Sequence, residues 1–392
     1  MVSELALENL SSDLMKFSLL FFMLASPVMP LSAGEPTAGS GLPPLSQTLF
    51  PRGANRVDAE LDALVSDDVE IWKAGLQFEQ TRGSWKIGGG FGQTRHEIDY
   101  EPFTTTLPSR RTEDSQDFRF EIQKTISPSW TVLANAAYVD GFSDHRSVWI
   151  SEFYDQSNGL NPLYSEADPG SVAISLGGQW SYLPGLSSVL VTAGFSRADI
   201  VPGWGRELNP DSGRFELVSS DSELDTFSGS LVWKAAVNPN LTSQHTVRFS
   251  ETEGRELRTQ LQSEWAVGLG RAFYLRAQAG AAREDPDFEA LYGGLTLVYE
   301  VSAQWQIDLG YRYYEDSGEI NSANFNTAAP GIASREMSLG VLWKGESVSV
   351  RGSVGYYQTD FDPITNPVND VFTNLYQDRD FVSSRLAFTY QF

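Results

Sequence analysis

The sequence has no cysteine among its 392 residues and only three histidines. The absence of cysteine excludes a disulfide framework and thiolate metal sites. Basic residues are also scarce, with 28 lysines and arginines against 51 acidic residues, which gives a net charge of -23. This charge argues against nucleic acid as a partner. We predict no metal site and no cofactor.

Long hydrophobic runs are missing as well. Beyond the amino-terminal region there is no run of about 18 apolar residues, so no transmembrane helix is available. The mean hydropathy is only -0.26. Instead, apolar and polar residues alternate along most of the chain, which is the pattern of β-strands with two different faces.

The end of the chain shows this alternation most clearly. Val382, Leu386, Phe388, Tyr390 and Phe392 share one strand face, and polar or small residues occupy the other. A terminal apolar face needs a cover, because chain ends fray and exposed apolar patches are unfavourable. Lipid would provide that cover. A buried final strand of a soluble β-sandwich is the alternative.

This ending resembles the last strand of bacterial outer-membrane β-barrels, which closes the barrel and carries a terminal Phe. The resemblance implies that Phe388, Tyr390 and Phe392 form an assembly signal read by the barrel-assembly machinery. It also implies a multi-pass barrel in the outer membrane of a Gram-negative bacterium. Outer-membrane lipid and lipopolysaccharide would then surround the protein.

The amino-terminus has the layout of a secretory signal peptide within residues 1–33, with Lys16, a short apolar core and small residues near Ala33. The residues before Met15 are acidic, so we predict that translation starts at Met15. Residues 34–55 are rich in Gly, Pro, Ser and Thr and are predicted to be an irregular periplasmic lead-in.

Residues 56–392 are predicted to form an all-β fold, a transmembrane antiparallel β-barrel of about sixteen strands. Fourteen strands remain an alternative, because Arg56–Val65 could be a short periplasmic helix. Tight turns alternate with longer connections, as expected for periplasmic turns and extracellular loops. The longer connections are 99–114, 143–170, 199–222, 317–332 and 359–379.

Tryptophan positions agree with this topology. Seven of the ten tryptophans fall on the lipid-facing parity at the periplasmic ends of strands, which predicts an aromatic girdle. These are Trp85, Trp130, Trp180, Trp233, Trp265, Trp305 and Trp343.

The opposite strand face should line the interior and is predicted to be net basic. An alternative is that its charges only pair with one another in a filled lumen. The predicted pore-lining residues are Arg119, Glu121, Arg248, Arg258, Glu264, Arg276, Asp308, Arg312, Arg351 and Arg385.

Segment 143–170 follows the fifth strand and is the longest connection. In this respect the chain resembles the general diffusion porins, whose third loop folds into a sixteen-stranded barrel and sets loop acids opposite wall arginines. The resemblance implies a constriction loop; an ordinary exposed surface loop is the alternative. The constriction residues would be Asp144, Glu152, Asp155, Glu166 and Asp168.

Together these observations predict a porin-like channel for passive diffusion of small hydrophilic solutes, with no enzymatic activity. Assembly into a homotrimer stays open. One alternative is a non-conducting structural or binding barrel that acts through its acidic extracellular loops. Another is an outer-membrane hydrolase, for which His96 near Asp99 and His145 beside Asp144 are the available residues; His245 falls on the lipid-facing parity.

Overall fold

A computed structural model describes residues 55–99, 110–142, 145–146, 148–149, 151–152, 169–183, 186–209, 213–238, 240–285, 288–318, 320–321, 327–328, 330–363 and 376–392; within 200–222 it describes the backbone and, of the side chains, only position 213. The predicted signal peptide and nearly all of the predicted lead-in lie outside these residues. Among the described residues, no helix is long and apolar enough to cross a membrane.

Sixteen long antiparallel strands close into one barrel. The strands in chain order are β1 (Arg56–Val65), β2 (Val69–Arg82), β3 (Trp85–Asp99), β4 (Arg110–Ser127), β5 (Trp130–Asp140), β6 (Gly170–Leu183), β7 (Ser187–Asn209), β8 (Arg214–Asn238), β9 (Leu241–Thr252), β10 (Arg258–Gly268), β11 (Phe273–Glu284), β12 (Phe288–Glu300), β13 (Trp305–Asp316), β14 (Ile320–Asn321), β15 (Thr327–Ala328), β16 (Ile332–Lys344), β17 (Val348–Phe361) and β18 (Arg379–Gln391). The two-residue strands β14 and β15 pair only with each other, in the connection between β13 and β16.

The barrel closes where the first strand meets the last. β1 pairs with β18 over its whole length and with β2 on its other side. The prediction of sixteen strands is therefore confirmed, and the helical alternative for Arg56–Val65 is wrong. We call the barrel end that holds Arg56 and Gln391 the periplasmic end, and the opposite end the outer end.

Alternation gives each strand an outward apolar face and an inward polar face. In β13 the outward Leu309 is 58% exposed, whereas the inward Gln306 and Asp308 are 1% and 3% exposed. A single-layered barrel leaves its outward apolar side chains uncovered, and in a membrane those side chains contact lipid.

The predicted aromatic girdle is present on the outward face at the periplasmic end. Trp130 stacks on Trp180 across β5 and β6, with ring centroids 6.5 Å apart. Trp233 Nε1 donates a hydrogen bond to Tyr182 Oη at 2.8 Å, and His245 packs between Trp233 and Trp265. Indole and phenol groups favour this level because one end of each ring is polar.

The predicted loop bounds are wrong in two places. Connection 199–222 is mostly a continuation of the β7–β8 hairpin, which stays paired as far as Asn209 and Arg214 and turns at Gly213 with φ of 62°. β4 begins at Arg110, so connection 99–114 is shorter than predicted. Strands beyond the bilayer need only backbone pairing, so no apolar alternation marks them in the sequence.

Candidate functional site

The strand register places all ten predicted pore-lining residues on the inward face. Arg119 and Glu121 lie there on β4, opposite the glycines Gly90 and Gly88 of β3. The remaining eight follow the same parity on β9, β10, β11, β13, β17 and β18. The interior of the barrel is therefore the candidate site.

Most of the inward arginines have carboxylate partners. Arg351 lies 2.6 Å from Asp308, Arg258 lies 2.7 Å from Glu284, and Arg119 lies 2.8 Å from Asp117. Arg312 pairs with Glu336. Arg385 contacts both Glu60 and Asp62 of β1. Three of these arginines, Arg258, Arg312 and Arg385, pair across neighbouring strands, whereas Arg351 reaches over β16 to β13 and Arg119 pairs within β4. The pairs between strands stabilise the wall as well as charging it.

The structure brings the predicted basic wall close to charge balance, because sequence reasoning missed both acids and bases on the inward face. Strand β1 alone contributes Asp58, Glu60 and Asp62. The regular alternation of Arg56–Val65 could have identified these three acids as inward residues, provided that the segment was taken as a strand and not as a helix. Further inward acids are Glu79, Glu113, Asp117, Glu284, Glu300, Asp316 and Glu336; further inward bases are Arg56, Lys73, Lys86, Arg111, Lys234, Lys344 and Arg379.

The connection after β5 turns into the outer mouth of the barrel. Of its residues, Phe142, Val148, Trp149 and Ser151 are all buried, with Val148 and Ser151 at 0% exposure. The described residues between 145 and 152 are helical. A segment outside a single-layered barrel would be exposed, so this burial indicates that the described residues 141–142, 145–146, 148–149 and 151–152 pack within the mouth. We call these residues the mouth segment.

Two charged residues of the mouth segment reach opposite walls. Glu152 pairs with Arg111, an inward residue near the outer end of β4. Arg146 lies within electrostatic range of Asp316, the last residue of β13. In the closed ring, β4 and β13 lie seven strands apart in one direction and nine in the other. The mouth segment therefore spans the barrel opening.

Inward apolar residues surround the same end of the barrel. They are buried although the interior is otherwise polar, which indicates a small hydrophobic core at the outer mouth. No sequence pattern marks this core, because each of its residues is a single apolar position on an otherwise polar strand face. The residues are Val69, Ile98, Phe288, Ile332 and Phe381.

Of the predicted constriction residues, the structure describes only Glu152. Asp144, Asp155, Glu166 and Asp168 lie outside the described residues. Glu152 pairs with Arg111, which is not one of the predicted pore-lining arginines.

The three histidines do not share one site. His96 is inward and 1% exposed. Asp99, three residues later on β3, points to the outward face, so the two predicted neighbours lie on opposite faces of the strand. His245 is outward, as predicted, and its Nδ1 lies 2.9 Å from Ser263 Oγ. His145 belongs to the mouth segment, and its predicted neighbour Asp144 is outside the described residues.

Comparison with solved structures finds bacterial outer-membrane barrels at very low sequence identity. The ferric enterobactin receptor PfeA of Pseudomonas aeruginosa is 9% identical with a TM-score of 0.42, over 79% of this chain and 54% of that one. This chain thus spans about half the length of that receptor. A bacterial polysaccharide outer-membrane secretin is 6% identical with a TM-score of 0.47, over 88% of this chain and 100% of that one.

A third similar structure is the Pseudomonas putida toluene transporter TodX, at 10% identity and a TM-score of 0.42, over 89% of this chain and 92% of that one. Neither the protein-family models nor the curated proteins gave a match to the chain.

The class of this protein follows from its own architecture. A closed antiparallel barrel with an outward apolar band, an aromatic girdle at one end and a polar interior is a transmembrane barrel of the bacterial outer-membrane type. Its localisation is the outer membrane of a Gram-negative bacterium.

Proposed function

We propose that this protein is a passive channel for small hydrophilic solutes. One observation carries the proposal: the inward cations Lys234 and Arg248 are exposed to solvent although they face the interior. Water therefore reaches the wall of the lumen along β8 and β9. A barrel of sixteen strands is wide enough for such an aqueous path.

Transport through such a path needs no chemical step. The width of the lumen sets the size limit, and the charges on its wall orient water and dipolar solutes. Arg276 and Arg312 contribute to this field from β11 and β13. Solutes would move down their own concentration gradients.

In this proposal, connection 143–170 constricts the channel at its outer mouth. Two observations on the described part of that connection support the idea: its buried side chains and the reach of Arg146 and Glu152 to opposite walls. The constriction would lie at the outer rim, above the inward arginines of the mid-barrel.

A second candidate is a barrel closed by its mouth segment, which would bind partners at its outer surface and conduct nothing. The apolar packing of Trp149 and Val148 at a mouth lined by Phe288 and Ile332 favours it. The two candidates share one fold and differ in whether ions pass.

For biogenesis, we propose that the barrel-assembly machinery reads Phe388, Tyr390 and Phe392. Tyr390 and Phe392 are exposed on the outer surface and stack at 5.8 Å. Outer-membrane lipid and lipopolysaccharide would cover the outward face, and a homotrimer is a further proposal for its assembly.

Single-channel recording of the mature protein in a planar lipid bilayer tests the channel proposal. Stable conductance steps are expected, and charge reversal at Arg276 or Arg312 should change their size. Charge reversal at the outward, exposed Arg335 is the control and should leave the step size unchanged. A folded barrel that conducts nothing would reject the channel and favour the closed barrel.

A further inference from the structure

The inward face of β6, β7, β8 and β9 differs in composition from the rest of the lumen. Between Gly170 and Asp199 and between Glu223 and Thr252, its described side chains include no carboxylate. The only charged inward groups on these strand portions are Lys234 and Arg248. We call this surface the β6–β9 wall.

Hydroxyl side chains occupy about half of the inward positions of the β6–β9 wall. They lie beside the two cations: Ser230 is the register partner of Arg248, and Gln244 is the partner of Lys234. Thr192 and Ser230 hydrogen bond to each other at 2.7 Å. The hydroxyl residues are Ser171, Ser175, Ser188, Thr192, Ser196, Thr226, Ser228, Ser230, Thr242, Thr246, Ser250 and Thr252.

One acid faces these cations from the neighbouring strand. Glu264 of β10 lies within electrostatic range of Lys234, Arg248 and Arg276, and its carboxylate accepts a hydrogen bond from Gln262 at 2.7 Å. Three cations thus surround one carboxylate. The local field remains positive on this side of the lumen.

The opposite side of the lumen offers an anion no comparable surplus of cations. β9 lies eight strands from β1 in either direction around the ring, and the inward acids of β1, Asp58, Glu60 and Asp62, are paired with Arg56 and Arg385. A mobile anion is therefore attracted to β9 rather than to β1.

We infer that the β6–β9 wall is the path of small oxyanions, meaning solutes that carry a carboxylate or phosphate group. The inference rests on the proposed channel function. Lysine, arginine and hydroxyl groups all donate hydrogen bonds to anionic oxygens, and together they replace part of the hydration shell that such a solute loses. No carboxylate on the described part of this wall competes with an anionic solute for these hydrogen-bond donors.

Reversal potentials in a KCl gradient across a planar bilayer test the inference. A unit charge about 6 Å away in water changes the local concentration of a monovalent ion roughly threefold, so chloride should permeate at least roughly threefold better than potassium. Inorganic phosphate added to one side should reduce the chloride current by competing for the same wall.

The double variant Lys234→Glu with Arg248→Glu should reverse the preference to potassium and abolish the effect of phosphate. Arg335→Glu reverses one cation on the outward face, as each half of the double variant does on the inward face, and should keep both properties of the natural chain. If the double variant fails to fold, which a heat-modifiability gel reveals, Lys234→Gln and Arg248→Gln taken singly should each lower the chloride preference.

The outcomes separate the two proposals. A conducting barrel with no chloride preference, or with a potassium preference, overturns the oxyanion path and leaves the channel intact. A folded barrel without conductance overturns the channel itself. Chloride preference that survives the double variant also overturns the assignment to this wall.

Discussion

At the residue scale, Gly280 shows how a missing side chain shapes the lumen. Gly280 lies on the inward face of β11, opposite Tyr292 of β12. The ring of Tyr292 lies directly over Gly280. The Tyr292 hydroxyl accepts a hydrogen bond at 2.8 Å from Gln260 Nε2 on β10. A Cβ at position 280 would overlap that ring. The glycine therefore allows one aromatic side chain to tie three strands together.

The substitution Gly280→Leu should displace Tyr292 and break its hydrogen bond to Gln260. Overpacking of this kind destabilises by about 1–3 kcal/mol, which urea unfolding in lipid vesicles can measure through tryptophan fluorescence. Gly178→Ala is the control, because a Cβ there meets no atom within 4 Å; it should change the free energy of unfolding by less than about 0.5 kcal/mol. Equal effects of the two substitutions would contradict this account.

At the element scale, the mouth segment depends on its ionic contacts with the wall. The side chains of Arg111 and Glu152 are 12% and 13% exposed, so their pair is largely shielded from water. Arg111 also pairs with Glu113 at 2.7 Å, so it keeps a countercharge when Glu152 is neutralised. What is lost is the shielded ionic contact that joins the segment to β4. The segment should then leave its packed position more often.

Glu152→Gln should therefore raise the mean conductance and the frequency of current fluctuations in single-channel recordings. The control is Glu315→Gln, which removes an acid on the outward face near the same end of the barrel and should leave the recordings as they are. Identical traces from Glu152→Gln and the natural chain would show that this ion pair does not hold the mouth segment.

At the scale of the whole molecule, the barrel depends on the seam between β1 and β18. At the outer end of the seam, Arg379 Nη2 donates to Asp68 at 2.8 Å, and Gln377 Nε2 donates to the same carboxylate at 2.9 Å. At the periplasmic end, the Phe392 amide donates to the Asn55 carbonyl at 3.0 Å. These contacts join the two ends of the barrel sequence.

The pKa of Asp68, which lies in the outer turn, should make this closure dependent on pH. Partial burial raises the pKa, but the hydrogen bonds and charge of Arg379 outweigh it, so the pKa lies below its usual value. A carboxyl whose pKa is lowered on folding stabilises the fold above its unfolded pKa of about 3.9. That stabilisation is lost as the pH falls through the lower, folded pKa.

Asp68→Asn should lower the stability of the barrel by about 2 kcal/mol at neutral pH, because Arg379 is buried and loses its countercharge. The midpoint of thermal unfolding in detergent, followed by heat modifiability, measures this change. The difference from the natural chain should shrink as the pH falls below about 4. Asp67→Asn is the control, because Asp67 is exposed; an equal loss from both variants would contradict the role of Asp68.

The class of fold can be predicted from the amino-acid pattern alone. Alternation is local and has a period of two, so it marks strands, faces and turns without knowledge of distant contacts. It predicted the sixteen strands, the inward position of residues such as Arg276 and Arg312, and the outward girdle that includes Trp130 and Trp180.

The charge balance of the lumen and the position of the mouth segment depend instead on contacts between distant parts of the chain. Arg385 meets Glu60 and Asp62 because the ring closes between β18 and β1, and Glu152 meets Arg111 because a loop turns inward. Such contacts join residues far apart in the chain, and the local periodicity of either partner contains no information about the other.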